Sequence, residues 1–457
     1  MSVDLRRRAA VRAIVQVGAG HDLDHQLAGL RTRLAHAEGA RIAEELVRGV
    51  VQFRDRYAHL VATFSRRGAD PDPVVNAVLA LALHELLTHD RVPAYAAVHQ
   101  AGELLRAEGK TRQLGYANAV LQSVVRHLEA RDTAPLDAVR PLFAAPEDPA
   151  GELARWWSHP RWLVERWLAR YGRDAVDCLL AHANTPAPVT LHVLPGDDVD
   201  QARRHVEAAG WAVTPVAAAP RALSLVGRPS QAALADLLDG RPDLLVQDAG
   251  AQAALDWLCR DGADLQGMDA PVVDLCAAPG GKAAHLRAWL PGTQLLVAMD
   301  LRPRRLRRLR ANARRLAWRH TALLAGDGMR APLRPRSCGA VLLDGPCSGT
   351  GVGRHHPEGR WRLAPETLQR NGERLGALAA AAADLLVDGG SLYYATCSLE
   401  PEENEDVLAA LLAARPELVA DPDPDGTWQR AWLPWLHGTD GFFAARLRRR
   451  TPAEARA

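Results

Sequence analysis

The 457 residues predict three fold classes in succession: an all-α region, a small α+β unit, and an α/β region built on a parallel sheet. Three observations carry this. Apolar residues recur at three- and four-residue spacing through roughly the first 130 positions, as at Val75, Val78, Leu79 and Ala82. Short apolar runs then flank a helical segment near residues 202–209. Beyond Gly250, continuous apolar runs alternate with helix-length segments, the pattern of strands covered on both faces.

In chain order, residues 1–135 form the helical domain. Arg6, Arg7, Arg8 and Arg12 cluster on its first helix, where a solvated face and a phosphate-binding face have the same signature. From Arg131 to Ala150 the chain is proline-rich and weakly periodic, which predicts a linker. Residues 150–240 form the small α+β domain. Trp156, Trp157, Trp162 and Trp167 line a helical segment there, at spacings that favour core packing over a base-stacking platform. Strands are expected at 189–194, 211–216 and 222–226. Residues 241–450 hold strands at 271–276, 295–300, 322–326, 340–344, 391–396 and 442–447. Ligands of such sheets bind at the carboxyl ends of the strands, so the residues there are the candidates for chemistry.

Composition narrows the function. Lys plus Arg total 56 against 54 Asp plus Glu, so net charge alone predicts no polyanion partner, and any basic surface is local. The strongest basic run is Arg302–Arg315, where Leu306, Leu309, Ala313 and Leu316 leave the arginines on the opposite face. A solvated helix and a phosphate contact explain it equally well. The six cysteines (178, 259, 276, 338, 347, 397) form no CxxC pair and no zinc spacing, so neither a disulfide framework nor a metal is expected. His355 and His356 are read as loop residues facing outward to a substrate and not as metal ligands, in a loop that Gly353 and Gly359 are expected to make mobile. Arg12 interrupts the first apolar stretch, so no export signal is read. No uncharged run reaches the roughly 18 residues of a membrane span. The expected location is the cytoplasm, where thiols stay reduced.

The chemistry gathers at five strand ends. Asp274-Leu-Cys-Ala-Ala-Pro-Gly-Gly-Lys282 runs from a strand into a helix, and its paired glycines permit a tight turn against a ligand. It is neither a Walker A loop nor a GxGxxG fingerprint. Asp300 ends the next strand, where a carboxylate can accept both ribose hydroxyls, and Asp327 follows the third, within reach of an adenine amino group. Cys347, in Asp344-Gly-Pro-Cys, and Cys397, in Ala395-Thr-Cys-Ser, stand at the ends of two further strands. Hydride transfer has no use for these thiols. Methylating C5 of a pyrimidine does: a thiolate adding at C6 makes C5 nucleophilic, and an acid at N3, where Asp344 could serve, stabilises the charge that develops.

These three motifs, with the Leu399-Glu-Pro-Glu-Glu-Asn-Glu405 that follows Cys397, resemble the RNA cytosine-C5 methyltransferase family, the Sun/Fmu group. Gly115-Tyr-Ala-Asn-Ala-Val-Leu121, Val246-Gln-Asp-Ala-Gly-Ala-Gln252 and Asp440-Gly-Phe-Phe443 resemble its bacterial small-subunit ribosomal RNA branch, whose helical domain is NusB-like. The resemblance implies a Rossmann-like core, S-adenosylmethionine as methyl donor, and 16S ribosomal RNA as partner, with no membrane or metal. It makes 1–135 a NusB-like RNA-binding domain, 150–240 an RRM-like RNA-contacting unit and 241–450 the methyltransferase domain. Cys397 becomes the nucleophile and Cys347 the release cysteine, with Asp344 and Lys282 assisting. Cofactor contacts fall on Cys276, Ala277, Ala278, Pro279, Gly280, Gly281, Lys282, Asp300, Asp327 and Asp344. The oligomeric state is left open, a monomer being compatible. A transfer-RNA enzyme of the same chemistry and a non-catalytic NusB-like RNA-binding factor are the alternatives. The chain departs from the family at Gly345, commonly Ala, which should be tolerated, and at Leu191-His-Val-Leu194, where a basic-plus-Asn signature is usual.

Overall fold

The computed structural model describes residues 4–34, 37–89, 92–266 and 269–454. The chain divides into two compact units, 1–185 with 356–362, and 186–355 with 363–457.

The first unit is helical. Its helix Pro73–Thr88 starts at Asp72, whose carboxylate accepts the Val74 N–H, a cap worth about 1 kcal/mol. That helix buries Val75, Leu79, Leu81 and Leu83 on several faces, which makes it the centre of the bundle. The basic first helix, Leu5–Gly18, is neutralised from within. Arg6 pairs with Asp4 at 2.9 Å, Arg7 with Glu85 at 2.5 Å, and Arg8 and Arg12 with Glu108 at 2.6 and 3.2 Å.

Two expectations fail in this unit. The linker read between Arg131 and Ala150 instead holds a helix, Pro135–Val139, and a turn, Arg140–Phe143, with Val139 and Phe143 buried. Its prolines mark element starts: Pro135 and Pro149 open helices, where a missing N–H costs nothing. The segment 356–362 is not loose either. Arg360 is buried and donates to the Ser158 and Ala183 carbonyls and to Asn184 Oδ1, each at 3.2 Å. The tryptophan stripe is core: Trp156 and Trp167 are buried, and the Arg56 guanidinium lies 3.9 Å from the Trp156 ring centre.

The second unit contains two sheets. The first is made of β1 (Thr190–Val193), β2 (Val213–Val216), β3 (Ala219–Leu225) and β4 (Leu244–Val246), antiparallel in the order β2-β3-β1-β4. Helices Val199–Ala208 and Gln231–Leu238 complete a βαββαβ pattern.

The second sheet holds β5 (Val272–Asp274), β6 (Leu296–Asp300), β7 (Thr321–Ala325), β8 (Cys338–Asp344), β9 (Leu386–Thr396), β10 (Leu418–Ala420), β11 (Gln429–Trp432) and β12 (Phe442–Arg449). Its order is β10-β12-β9-β8-β5-β6-β7, with β11 also on β12. The five strands from β9 to β7 are parallel, as expected, whereas β10, β11 and β12 pair antiparallel at one edge. Both faces are covered, so the parallel strands read as continuous apolar runs. Ala340 and Leu342 enter one core, Val341 and Leu343 the other. The chain leaves β5 for β6 on one side and returns to β8 on the other. A crevice therefore opens beyond the carboxyl ends of β5 and β8.

Candidate active site

Asp274 ends β5 in that crevice, and the loop after it is held from below. The Cys276 N–H donates to Asp274 Oδ1 at 3.2 Å and the Ala278 N–H to Asp300 Oδ2 at 3.3 Å. Gly280 caps helix Gly281–Trp289 at φ 114°, and a Cβ there would lie 2.7 Å from Leu309 Cδ1, so both the conformation and the space require glycine. A cavity of about 300 Å³ opens over this loop, lined by Ala277, Ala278, Pro279 and Gly281 together with Gln247, Asp274, Lys282, Asn312, Arg315 and Asp344.

Lys282 Nζ donates to Asp344 Oδ2 at 2.6 Å. Burial works against the lysine charge, yet Asp344 and, behind it, Cys397 hold its pKa above the ordinary value. Burial, and then the charge of Asp344, push the Asp274 carboxyl up to about 7. Asp274 Oδ2 has no hydrogen-bond partner among the described residues. Asp300 receives the Ala278 and Arg302 N–H groups and pairs with Arg305 at 3.3 Å. Asp327 is exposed and caps the turn Gly328–Arg330 through the Met329 N–H at 3.0 Å.

The two strand-end cysteines meet: Cys347 Sγ lies 3.4 Å from Cys397 Sγ. The contact with Cys397, and then burial, raise the Cys347 pKa well above the ordinary thiol range, so Cys347 keeps its proton and can present it to its neighbour. Cys276 is a different case, pushed up to about 12 by burial and then Asp274, and lies apart from the pair as an inert thiol.

What holds the thiols in place was not read from the sequence. Glu403 is fully buried and accepts from the Ser348 N–H at 2.7 Å, the Ser348 hydroxyl at 2.6 Å and Asn371 Nδ2 at 2.7 Å. Asn404 takes the Thr396 hydroxyl at 2.5 Å and donates to the Ser398 carbonyl at 2.9 Å, gripping the residues on either side of Cys397. The Gly351 N–H donates to the Cys397 carbonyl at 3.0 Å, and the Gly351 carbonyl accepts the Gly441 N–H at 2.8 Å. A Cβ on Gly351 would lie 2.2 Å from the Gly441 oxygen, so this crossing admits no side chain. At Gly345, the space of a methyl group is taken by Leu375, whose Cδ2 would lie 2.1 Å from a Cβ.

The same loop is tied again by Asp440, fully buried, whose carboxylate oxygens lie 2.6 Å from Arg354 Nε and from His355 Nε2. Asp248 sits beside them, pushed up to about 6 by burial and then by Asp440. Asp248, His355 and Asp440 could approach a cation, but Arg354 already supplies the positive charge there. His355 is thus a partner of Asp440, not a residue directed only outward.

Gln247, from the end of β4, was also missed. His192 is buried and packs against His285 with ring centres 4.3 Å apart and planes inclined at 56°, and its Nδ1 lies 2.8 Å from Gln247 Oε1. Burial, then His285, hold the His192 pKa well below the ordinary value, so the neutral ring donates from Nδ1. That fixes the amide with its nitrogen toward Gly281, 3.4 Å from where a Cβ would stand. His192, in the stretch that departs from the family's basic-plus-Asn signature, is therefore an internal orienting group.

The chain is similar to known proteins along nearly its whole length. The family model described as 16S rRNA methyltransferase RsmB/F matches residues 264–448, the NusB family model residues 4–126, and the Methyltr_RsmF/B-like ferredoxin-like domain residues 159–230. Among solved structures, PH0851 superposes with a TM-score of 0.74 at 23% identity over 98% of this chain and 99% of its own. NSun6 from Pyrococcus horikoshii with SFG gives 0.51 at 18% identity over 64% and 98%. These likenesses establish the fold. Ribosomal RNA small subunit methyltransferase B from Vibrio cholerae is 31% identical over 96% of this chain and 96% of its own length, and that from Shigella boydii 32% identical over 96% and 98%. With such identity along nearly the whole chain, the protein belongs to the ribosomal RNA small subunit methyltransferase B family and is an RNA methyltransferase.

Proposed function

We propose that the protein methylates C5 of a cytosine in 16S ribosomal RNA, in the cytoplasm, through a covalent bond between Cys397 and C6 of the base. The carrying observation is the 3.4 Å contact between Cys347 and Cys397 beside the Lys282–Asp344 pair. Residues 1–135 and 150–240 are proposed to bind the RNA, and 241–450 to carry out the transfer.

The loop fits S-adenosylmethionine. Asp274 Oδ2 is a buried acceptor without a partner among the described residues, and Asp300 and Asp327 offer carboxylates at successive strand ends. Cys276 through Lys282, Asp300, Asp327 and Asp344 would hold it. When bound, it supplies an electrophilic methyl group on sulfur.

The chain's own residues supply the rest. The Cys397 thiolate adds to C6, forming a C–S bond and moving electron density to C5. With the base bound, Asp344 in its acid form shares its proton with N3 and passes it there as charge develops, and the Lys282 ammonium holds Asp344 in place while adding positive charge close to Cys397. C5 then takes the methyl group. Loss of the C5 proton to solvent re-forms the C5=C6 double bond, the C6–S electron pair leaves with Cys397 as its thiolate, and the N3 proton returns to Asp344. The Cys347 S–H faces the departing sulfur and stabilises it as it leaves.

Two variants test this. Cys397→Ala should give neither methylated RNA nor adduct, whereas Cys347→Ala should accumulate an RNA–protein adduct that survives denaturing electrophoresis. Full turnover by Cys397→Ala would sink the assignment. Bisulfite sequencing of ribosomal and transfer RNA from cells with and without the gene identifies the target.

A further inference from the structure

Between Asp300 and Asp327 the chain has nine arginines and no carboxylate. In sequence, this run and the basic first helix have the same character; in structure they part. Arg6, Arg7, Arg8 and Arg12 are bound to Asp4, Glu85 and Glu108. On helix Pro303–Arg315, by contrast, Arg304, Arg307, Arg308, Arg310 and Arg314 are exposed and have no carboxylate partner among the described residues. Such a density of uncompensated charge on one helix is self-repulsive, so it is best satisfied by an anion from outside.

The helix is also placed for one particular anion. At about 100° per residue, Arg304, Arg308, Asn312 and Arg315 fall on one stripe roughly 80° wide and about 16 Å long. The lower end of the stripe is wall of the catalytic cavity, which Asn312 and Arg315 line with Lys282 and Asp344. There Asn312 donates to the Pro279 carbonyl at 2.9 Å, and Arg315 to the Arg241 and Leu244 carbonyls at 3.0 and 2.8 Å. These contacts fix the helix against both the cofactor loop and the strand that carries Gln247. The upper end, Arg304 and Arg308, points along the same line into solvent.

We propose that Arg304 and Arg308 form a phosphate track that holds the RNA strand flanking the target nucleotide while its base enters the cavity. The proposal rests on the cavity being the target-base site. An unpaired strand threading past the stripe presents regularly spaced anions to arginines one helical turn apart, and guanidinium groups bind phosphate with two parallel N–H donors. Arg310 and Arg314 point about 160° and about 120° away from the middle of the stripe and share no wall with the cavity.

That difference gives the test. Affinity of the full chain for a transcript of small-subunit ribosomal RNA is measured across a salt series for the parent, for Arg304→Gln/Arg308→Gln and for Arg310→Gln/Arg314→Gln. Losing two phosphate contacts should reduce the slope of log K against log[salt] by about 1.4, at roughly 0.7 per phosphate on a single strand. The RNA KM should rise, while kcat at saturating RNA and S-adenosylmethionine affinity stay unchanged. The Arg310/Arg314 pair should change the slope far less. A parental slope in the first variant, or equal losses in both pairs, overturns the track. A parent chain that methylates the transcript keeps the functional reading intact in either event, whereas one with no salt-dependent RNA binding overturns both.

Discussion

Glu403 receives both the main-chain N–H and the hydroxyl of Ser348, at 2.7 and 2.6 Å, and so fixes the residue that follows Cys347. The carboxylate is fully buried, and Asn371 is its third donor. Its sequence neighbour Asn404 does the same for Thr396 and Ser398 around Cys397. One dipeptide thus sets the separation of the two sulfurs.

Glu403→Gln should therefore slow catalysis without weakening substrate binding. The amide keeps the volume but brings a donor face to groups that are themselves donors, and a displacement of about 1 Å at reacting atoms costs on the order of 100-fold in rate. A fall in single-turnover rate with unchanged KM for RNA and methyl donor is expected. A rise in KM alone would argue against a positioning role.

Asp274 predicts a pH signature. Its folded pKa is raised from 3.8 to about 7, so within that window the folded state keeps a proton that the unfolded chain has lost. Stability falls as pH rises through the window, and the penalty is complete above it. Asp274→Asn, which keeps an acceptor for the Cys276 N–H, should raise Tm more at pH 8 than at pH 5. Equal shifts at both pH values would count against a raised pKa.

Gly345 and Leu375 should be coupled. Gly345→Ala drives a methyl group into Leu375 Cδ2 and should cost about 1–3 kcal/mol by overpacking. Leu375→Val alone should cost about 1 kcal/mol through the space it leaves. The double variant should be less destabilised than the sum, by on the order of 1 kcal/mol, in chemical denaturation. Strict additivity would refute the contact.

His192→Phe tests the orienting imidazole. The ring can still pack against His285, but Gln247 Oε1 loses its donor, an unpaired buried acceptor that costs about 1–3 kcal/mol. The Tm should fall, and the methyl-donor KM should rise because the amide beside Gly281 is no longer fixed. Unchanged KM would reduce His192 to a packing residue.

The residues proposed to do chemistry were legible because each lies in a short contiguous motif at a strand end. Asp274 to Lys282, Asp344 to Cys347 and Thr396–Cys397 needed only the recognition of parallel strands. The supports were not legible, since they act across the chain. Glu403 reaches back 55 residues to Ser348, and Gln247 arrives from a different sheet. Strand direction was hidden for a simpler reason: the apolar run at Phe442–Leu447 reads alike in either direction, so its antiparallel pairing was not foreseen. The misread stretch from Arg131 to Ala150 shows that proline signals breaks and starts equally, and only the packing of Val139 and Phe143 tells them apart.

The antiparallel β12 has a consequence for the life history of the molecule. Because it runs against β9, its opening turn at Asp440 and Gly441 reaches the carboxyl end of that strand and clasps the loop of Cys347. Both sulfurs are translated well before their clasp. The loop of Cys347 is thus secured by residues more than ninety positions further along the chain, on the antiparallel edge of the sheet and not on its parallel centre.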